Sequence, residues 1–123
     1  METVHLLAAV AWLLLVAGWT ARRRRRLHLS LVVPGILLDL AMVVALELER
    51  SVIEKTVSEP FTLPQQVHIG ASLLAVLLYF PTVWLGLRLL FGRPDPRVRV
   101  RHRRFAVTAL VLRTVGFAFM WSL

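Results

Sequence analysis

The stretch ARRRRRLHLSLVVPGILLDLAMVVALEL, residues 21–48, decides the fold class of this chain. Five consecutive arginines, Arg22–Arg26, precede an apolar run from about residue 27 to residue 48, with Asp39 near its middle. A helix of about 20 apolar residues is long enough to cross the hydrocarbon core of a bilayer. The stretch therefore predicts a membrane-spanning helix with a strongly positive flank at its beginning.

The rest of the chain is likewise both strongly hydrophobic and strongly basic. Its 123 residues are 58% hydrophobic, carry a formal net charge of +8 and include no cysteine. A soluble domain this small needs a polar exterior, because it cannot bury most of its surface. The lack of cysteine excludes disulfide frameworks, zinc–thiolate sites and thiol catalysis. We expect a single domain, residues 1–123, with four spans at about 3–20, 27–48, 66–91 and 104–123.

The arginines also predict an orientation for these spans. Arg22–Arg26 give five positive charges and the stretch 88–104 gives seven more, whereas the loop at about 49–65 holds only Arg50 and Lys55. Positively charged loops remain on the cytoplasmic side of a membrane. With short connections, the sequence predicts an all-α, integral membrane up-down-up-down four-helix bundle. Both termini would face outward (N-out/C-out), in a multi-pass protein of the bacterial inner membrane.

The positions of the charged runs favour some partners and exclude others. Because Arg22–Arg26 and Arg97–Arg104 adjoin apolar spans, they indicate contact with anionic lipid rather than with nucleic acid. The first span lacks a basic leading region and a cleavage site, so we expect it to be retained rather than removed as a signal peptide. We find no catalytic triad order, phosphate-binding glycine loop or HExxH motif, and expect no enzymatic activity.

Four histidines lie near the beginnings of the four spans. In the predicted topology His28 and His102 share the inner level on diagonal helices, and His5 and His68 share the outer level. Diagonal imidazoles at one depth can bind haem or a metal ion. The arginine-rich inner pair suits haem or an anion, and the outer pair, near Glu47, suits a cation such as copper. Alternatively, all four are ordinary amphipathic residues at headgroup depth.

Two charges lie deep inside predicted spans. Asp39 follows His28 by 11 residues and Arg113 follows His102 by 11 residues. Because the second and fourth spans run in the same direction, these charges should lie at similar depth. Eleven residues are about three helical turns, so each charge shares a face with its histidine. We predict an intramembrane ion pair, which either fixes the register of the helices or serves a proton or anion relay.

Three short motifs resemble a known family. A basic connection precedes His28, His68 lies within VHIGA, and His102 lies within RHRR. With the spacing of spans two to four, this pattern resembles the small four-helix bacterial membrane proteins classified as domain of unknown function 420. Family members have been linked to maturation of haem–copper terminal oxidases. The family pattern has apolar residues where this chain has Asp39 and Arg113.

The resemblance implies an accessory role in assembly of a respiratory haem–copper oxidase, with oxidase subunits as partners and haem or copper as the cofactor. Two alternatives stay open on the sequence. One is a cytochrome b-like electron carrier that binds haem. The other is a structural subunit of a membrane complex that binds no cofactor.

Overall fold

The computed structural model describes residues 2–50, 62–93 and 95–121, which form four α-helices. Helix α1 covers Glu2–Thr20, α2 covers Arg25–Arg50, α3 covers Leu63–Phe91 and α4 covers Pro96–Met120. The prediction of four packed helices is confirmed. Most of the predicted loop between the second and third spans, and the last two residues of the fourth span, lie outside the described residues.

Local capping explains where the second pair of helices begins. The Thr62 hydroxyl accepts a hydrogen bond from the Gln65 backbone N–H, and the Gln65 side chain accepts one from the Thr62 N–H. This capping box satisfies two backbone donors that a helix start leaves unpaired. At the start of α4, the Asp95 carboxylate accepts from the Arg97 N–H at 2.9 Å, and Pro96 occupies the first turn. Proline is well tolerated there, because that position needs no donor.

The helices form a ring in which each helix packs against the next one in the chain. Helix α1 packs closely along α2, and α3 along α4, so the bundle consists of two hairpins. Helices α1 and α4 close the ring, where Trp12 Nε1 donates to Thr114 Oγ1 at 2.9 Å. Helices α2 and α3 share a sparser contact. Neighbouring helices are antiparallel, which places the two arginine-rich turns at one end of the bundle.

Side chains that would be expected inside a soluble protein lie on the outside of this bundle. Leu37 is 61% exposed, Phe80 63% and Val111 56%, whereas Asp39 is 1% exposed, Tyr79 4% and Arg113 5%. Each of these three exposed residues is within two positions in sequence of one of the three buried polar residues. The middle of the bundle therefore has apolar side chains on its outside and a small buried polar group within an otherwise apolar core.

Two of the helices are long and apolar enough to cross a membrane. By length and composition, Arg25–Ala45 in α2 and Leu63–Phe91 in α3 qualify, and His5–Thr20 in α1 is a shorter apolar helix. Helix α4 begins with a run of arginines and also contains Arg113, which lowers its mean hydropathy.

Candidate functional site

A cluster of buried polar side chains joins three helices at the middle of the bundle. The Tyr79 hydroxyl of α3 donates a 2.5 Å hydrogen bond to Asp39 Oδ2 of α2. Arg113 Nε of α4 lies 2.9 Å from the same oxygen. Its N–H does not point at a hydrogen-bond acceptor, so this contact is an ion pair by proximity. Arg113 Nη1 donates to Ser72 Oγ at 3.3 Å. The structure thus brings the two predicted intramembrane charges together.

The chemistry of Arg113 limits what this cluster can do. A guanidinium keeps its protons in proteins. A proton relay through the cluster would therefore stop at Asp39 rather than continue past Arg113. The geometry accounts for charge balance and for the register of three helices. Among the side chains that the structure describes, this is the one salt bridge.

The inner histidines, His28 and His102, line one cavity of about 60 Å³. They reach it from α2 and α4, which are diagonal in the ring. Except for the two imidazoles, the walls are mainly apolar or aromatic, and they include Tyr79 of the buried cluster: Leu15, Trp19, Val32, Ile36, Tyr79, Thr82, Ala106, Ala109 and Leu110. No arginine lines this cavity, so the charged inner turns lie outside the space between the two imidazoles.

Hydrogen bonds to helix backbone orient both rings in this cavity. His28 Nδ1 lies 2.7 Å from the Gly18 carbonyl oxygen, and His102 Nδ1 lies 2.8 Å from the Thr82 carbonyl oxygen. Because a carbonyl oxygen can only accept, each Nδ1 carries a hydrogen, and Nε2 is the ring nitrogen that can bind a metal. Metal-bound histidines use this arrangement, in which the second ring nitrogen donates to a carbonyl or carboxylate.

His102 precedes the predicted fourth span, and burial lowers the pKa of its imidazole. The hydrogen bond to Thr82 opposes this shift, and the nearby His28 adds to it. The result favours the neutral ring, which is the form that binds metals.

Glycines make room for the imidazole contacts. A Cβ at Gly86 would lie 3.0 Å from His102 Cε1, closer than normal van der Waals contact. A Cβ at Gly18 would overlap the side chain of Val32. These positions let the paired helices approach each other, so that an imidazole on one helix reaches the backbone of its neighbour.

The outer histidines have a different setting. His68 Nδ1 lies 2.7 Å from the Gly116 carbonyl oxygen, and the His5 ring packs against Trp121 with centroids 5.1 Å apart. His5 and His68 are close enough to interact electrostatically. The side chain of Glu47, the predicted third member of an outer metal site, lies outside the described part of the structure. Among the described residues, no group of three or more His, Asp or Glu side chains could hold a metal.

One member of the polar cluster, Ser72, was not predicted from the sequence. Ser72 is seven residues before Tyr79, a spacing that puts both on one face of α3. From that spacing alone, Ser72 could have been predicted as a partner of the buried charges. The carbonyl partners of the histidines have no comparable signal, because any backbone carbonyl can accept.

Comparison with protein-family models, curated proteins and solved structures found no match to this chain. The resemblance to domain of unknown function 420 therefore stays a prediction.

Proposed function

We propose that the protein is an integral membrane protein of the bacterial inner membrane, with four spans and both termini outside. The outward apolar side chains beside inward Asp39, Tyr79 and Arg113 support this assignment. The shared position of the two arginine-rich turns supports the orientation. Arg25 of the first turn donates to the Leu89 carbonyl oxygen of α3 at 3.5 Å, so the two turns are adjacent.

Within this membrane setting, we propose an accessory role in assembly of a respiratory haem–copper oxidase. The observation that carries it is the inner histidine pair. The imidazoles of His28 and His102 come from diagonal helices and line one mainly apolar cavity. In each ring Nδ1 contacts a backbone carbonyl oxygen, which leaves Nε2 available as a ligand. The histidine pair supports metal binding, and the resemblance to domain of unknown function 420 supports oxidase assembly as the process that uses the metal.

The size of the cavity favours copper over haem. A site for a drug-sized or larger ligand has a volume of about 300–1,000 Å³, and the histidine cavity has about 60 Å³. A porphyrin exceeds this volume, whereas a single ion does not. Imidazole binds copper well. Cuprous ion accepts two ligands, so it needs no third side chain, unlike tetrahedral zinc.

The assembly role is tested by deleting the gene in its host and measuring the metal content of the terminal oxidase. We expect the deletion to lower oxidase copper and activity. The wild-type gene should restore both, and a His28→Ala/His102→Ala variant inserted at normal level should not. Unchanged copper and haem in the oxidase of the deletion strain would contradict an assembly role.

The cytochrome b-like alternative uses the same two imidazoles. An absorption spectrum distinguishes it from the copper proposal. Haem added to the purified protein would give a low-spin Soret band that is lost in His28→Ala. That result would favour haem over copper at this site. If neither haem nor copper binds, the cofactor-free structural subunit becomes the better interpretation.

A further inference from the structure

A second cleft lies at the turn between α3 and α4. It shares no lining residue with the histidine cavity. It has a volume of about 340 Å³ and is lined by Arg88, Gly92, Arg93, Asp95, Pro96 and Val98. This volume lies within the range of small-ligand sites, about 300–1,000 Å³. The cleft is therefore large enough for a phosphate group with its substituents.

The cleft has a net positive charge, because its lining holds two arginines and one aspartate. Arg88 and Arg93 have no carboxylate partner among the described side chains. The acidic residue in the lining, Asp95, directs its carboxylate to the Arg97 N–H as the cap of α4. Guanidinium groups bind phosphate oxygens through paired hydrogen bonds, in a geometry that lysine does not match. The charge and the donor type together indicate an anionic phosphate ligand.

Exposed apolar side chains lie on the last turns of α3, which lead to the cleft. On α3, just before the cleft, Trp84 is 64% exposed and Phe91 is 81% exposed. Tryptophan at such a position is typical of the boundary between hydrocarbon and headgroups. A ligand in the cleft would therefore have its phosphate beside the arginines and apolar chains beside these rings.

We propose that this cleft binds the phosphate group of an anionic phospholipid, with Arg88 and Arg93 as its ligands. The proposal rests on the membrane location proposed above but not on copper binding by the histidines. A site with these donors also suits free phosphate, so the experiment compares the two sources.

The probe is phosphatidylglycerol, added to the purified protein in a nonionic detergent and counted by native mass spectrometry. We expect Arg88→Gln/Arg93→Gln to weaken the tightest lipid binding about tenfold or more, since each charged hydrogen bond contributes about 1.5–3 kcal/mol. The control is Arg103→Gln/Arg104→Gln, which removes the same charge from exposed arginines that do not line the cleft. It should change this binding by less than about twofold, because neither of these arginines lines the cleft.

Equal weakening by both double variants would overturn the proposal, because it would indicate general attraction to a basic surface. Absence of any retained lipid would overturn the lipid source. Inorganic phosphate is then the second probe: binding that depends on Arg88 and Arg93 would support a phosphate site for a soluble ligand. Lack of binding by both probes would overturn the site itself. Circular dichroism of each variant checks that the helices are intact.

Discussion

Asp39 is the most deeply buried of the described charged side chains, and its carboxylate connects three helices. A buried charge is expensive unless it is paired. Here the neutral Tyr79 hydroxyl and the Arg113 guanidinium share the stabilisation of one oxygen, Oδ2. The spacing of 11 residues from each inner histidine predicts that Asp39 and Arg113 lie at equal depth. It does not predict Tyr79 as a third partner, because the rotation of α3 against α2 depends on packing.

Replacing one partner of the buried pair should be worse than replacing both. We expect Asp39→Ala to lower the free energy of unfolding by about 3–5 kcal/mol, because Arg113 is left buried without its counter-charge. The double variant Asp39→Leu/Arg113→Leu should lose much less, because no charge is then left unpaired. Chemical denaturation in mild detergent, followed by circular dichroism, measures both. Equal destabilisation of the single and double variants would contradict the pairing.

Removing the Tyr79 hydroxyl should also destabilise the bundle. Tyr79→Phe deletes a donor to a buried carboxylate, for which we expect a loss of about 1.5–3 kcal/mol in unfolding free energy. Thr108→Val is the matched control, because the exposed Thr108 hydroxyl donates only within its own helix, to the Arg104 carbonyl oxygen. Its loss should stay below about 1 kcal/mol. Similar losses in the two variants would show that the hydrogen bond between Tyr79 and Asp39 does not contribute to the free energy of unfolding.

Close approach of α3 and α4 depends on Gly116. A Cβ there would overlap Ser72 Oγ and lie 3.3 Å from the Ser72 backbone nitrogen, so the opposing backbone itself is in the way. The same contact holds the Gly116 carbonyl against His68. Small residues permit such approach between helices in membranes. The sequence identifies the small residues, but not the helix face on which each one is needed.

Two glycine variants test this dependence. We expect Gly116→Ala to destabilise the protein by about 1–3 kcal/mol, as overpacking does. Gly70→Ala should be neutral or stabilising by up to about 1 kcal/mol, because nothing lies within 4 Å of its added Cβ and alanine favours helix. Thermal unfolding of the two variants in the same detergent gives the comparison. A neutral Gly116→Ala would show that α3 and α4 tolerate a wider separation.

The bundle as a whole has an apolar exterior and a strongly basic end, and both features were predictable from the sequence. Runs of apolar residues located all four helices, because local composition largely determines them, although α4 begins at Pro96, eight residues before the predicted fourth span. The inner cavity was less predictable. Span order placed His28 and His102 at one level. The volume of the cavity between them, however, depends on how the side chains of all four helices pack. In the proposed function, that volume favours copper over haem at the inner pair.

The predicted orientation can be tested directly, because the natural chain has no cysteine. A single cysteine at Thr3→Cys should react with a membrane-impermeant maleimide added outside intact spheroplasts. A cysteine at Arg23→Cys should react only after the membrane is permeabilised, since it lies in an arginine-rich turn assigned to the cytoplasm. Labelling of Arg23→Cys in sealed cells, with protection of Thr3→Cys, would reverse the proposed topology.

The most direct test of the central proposal is an anaerobic titration of the purified protein with cuprous ion against a chromogenic copper chelator. We expect one copper ion per wild-type chain, loss of that binding in His28→Ala and in His102→Ala, and retention in His5→Ala, which changes only the outer level. No copper bound by the wild-type protein, or binding that survives both inner variants and disappears in His5→Ala, would contradict the assignment of the inner histidine pair as the metal site.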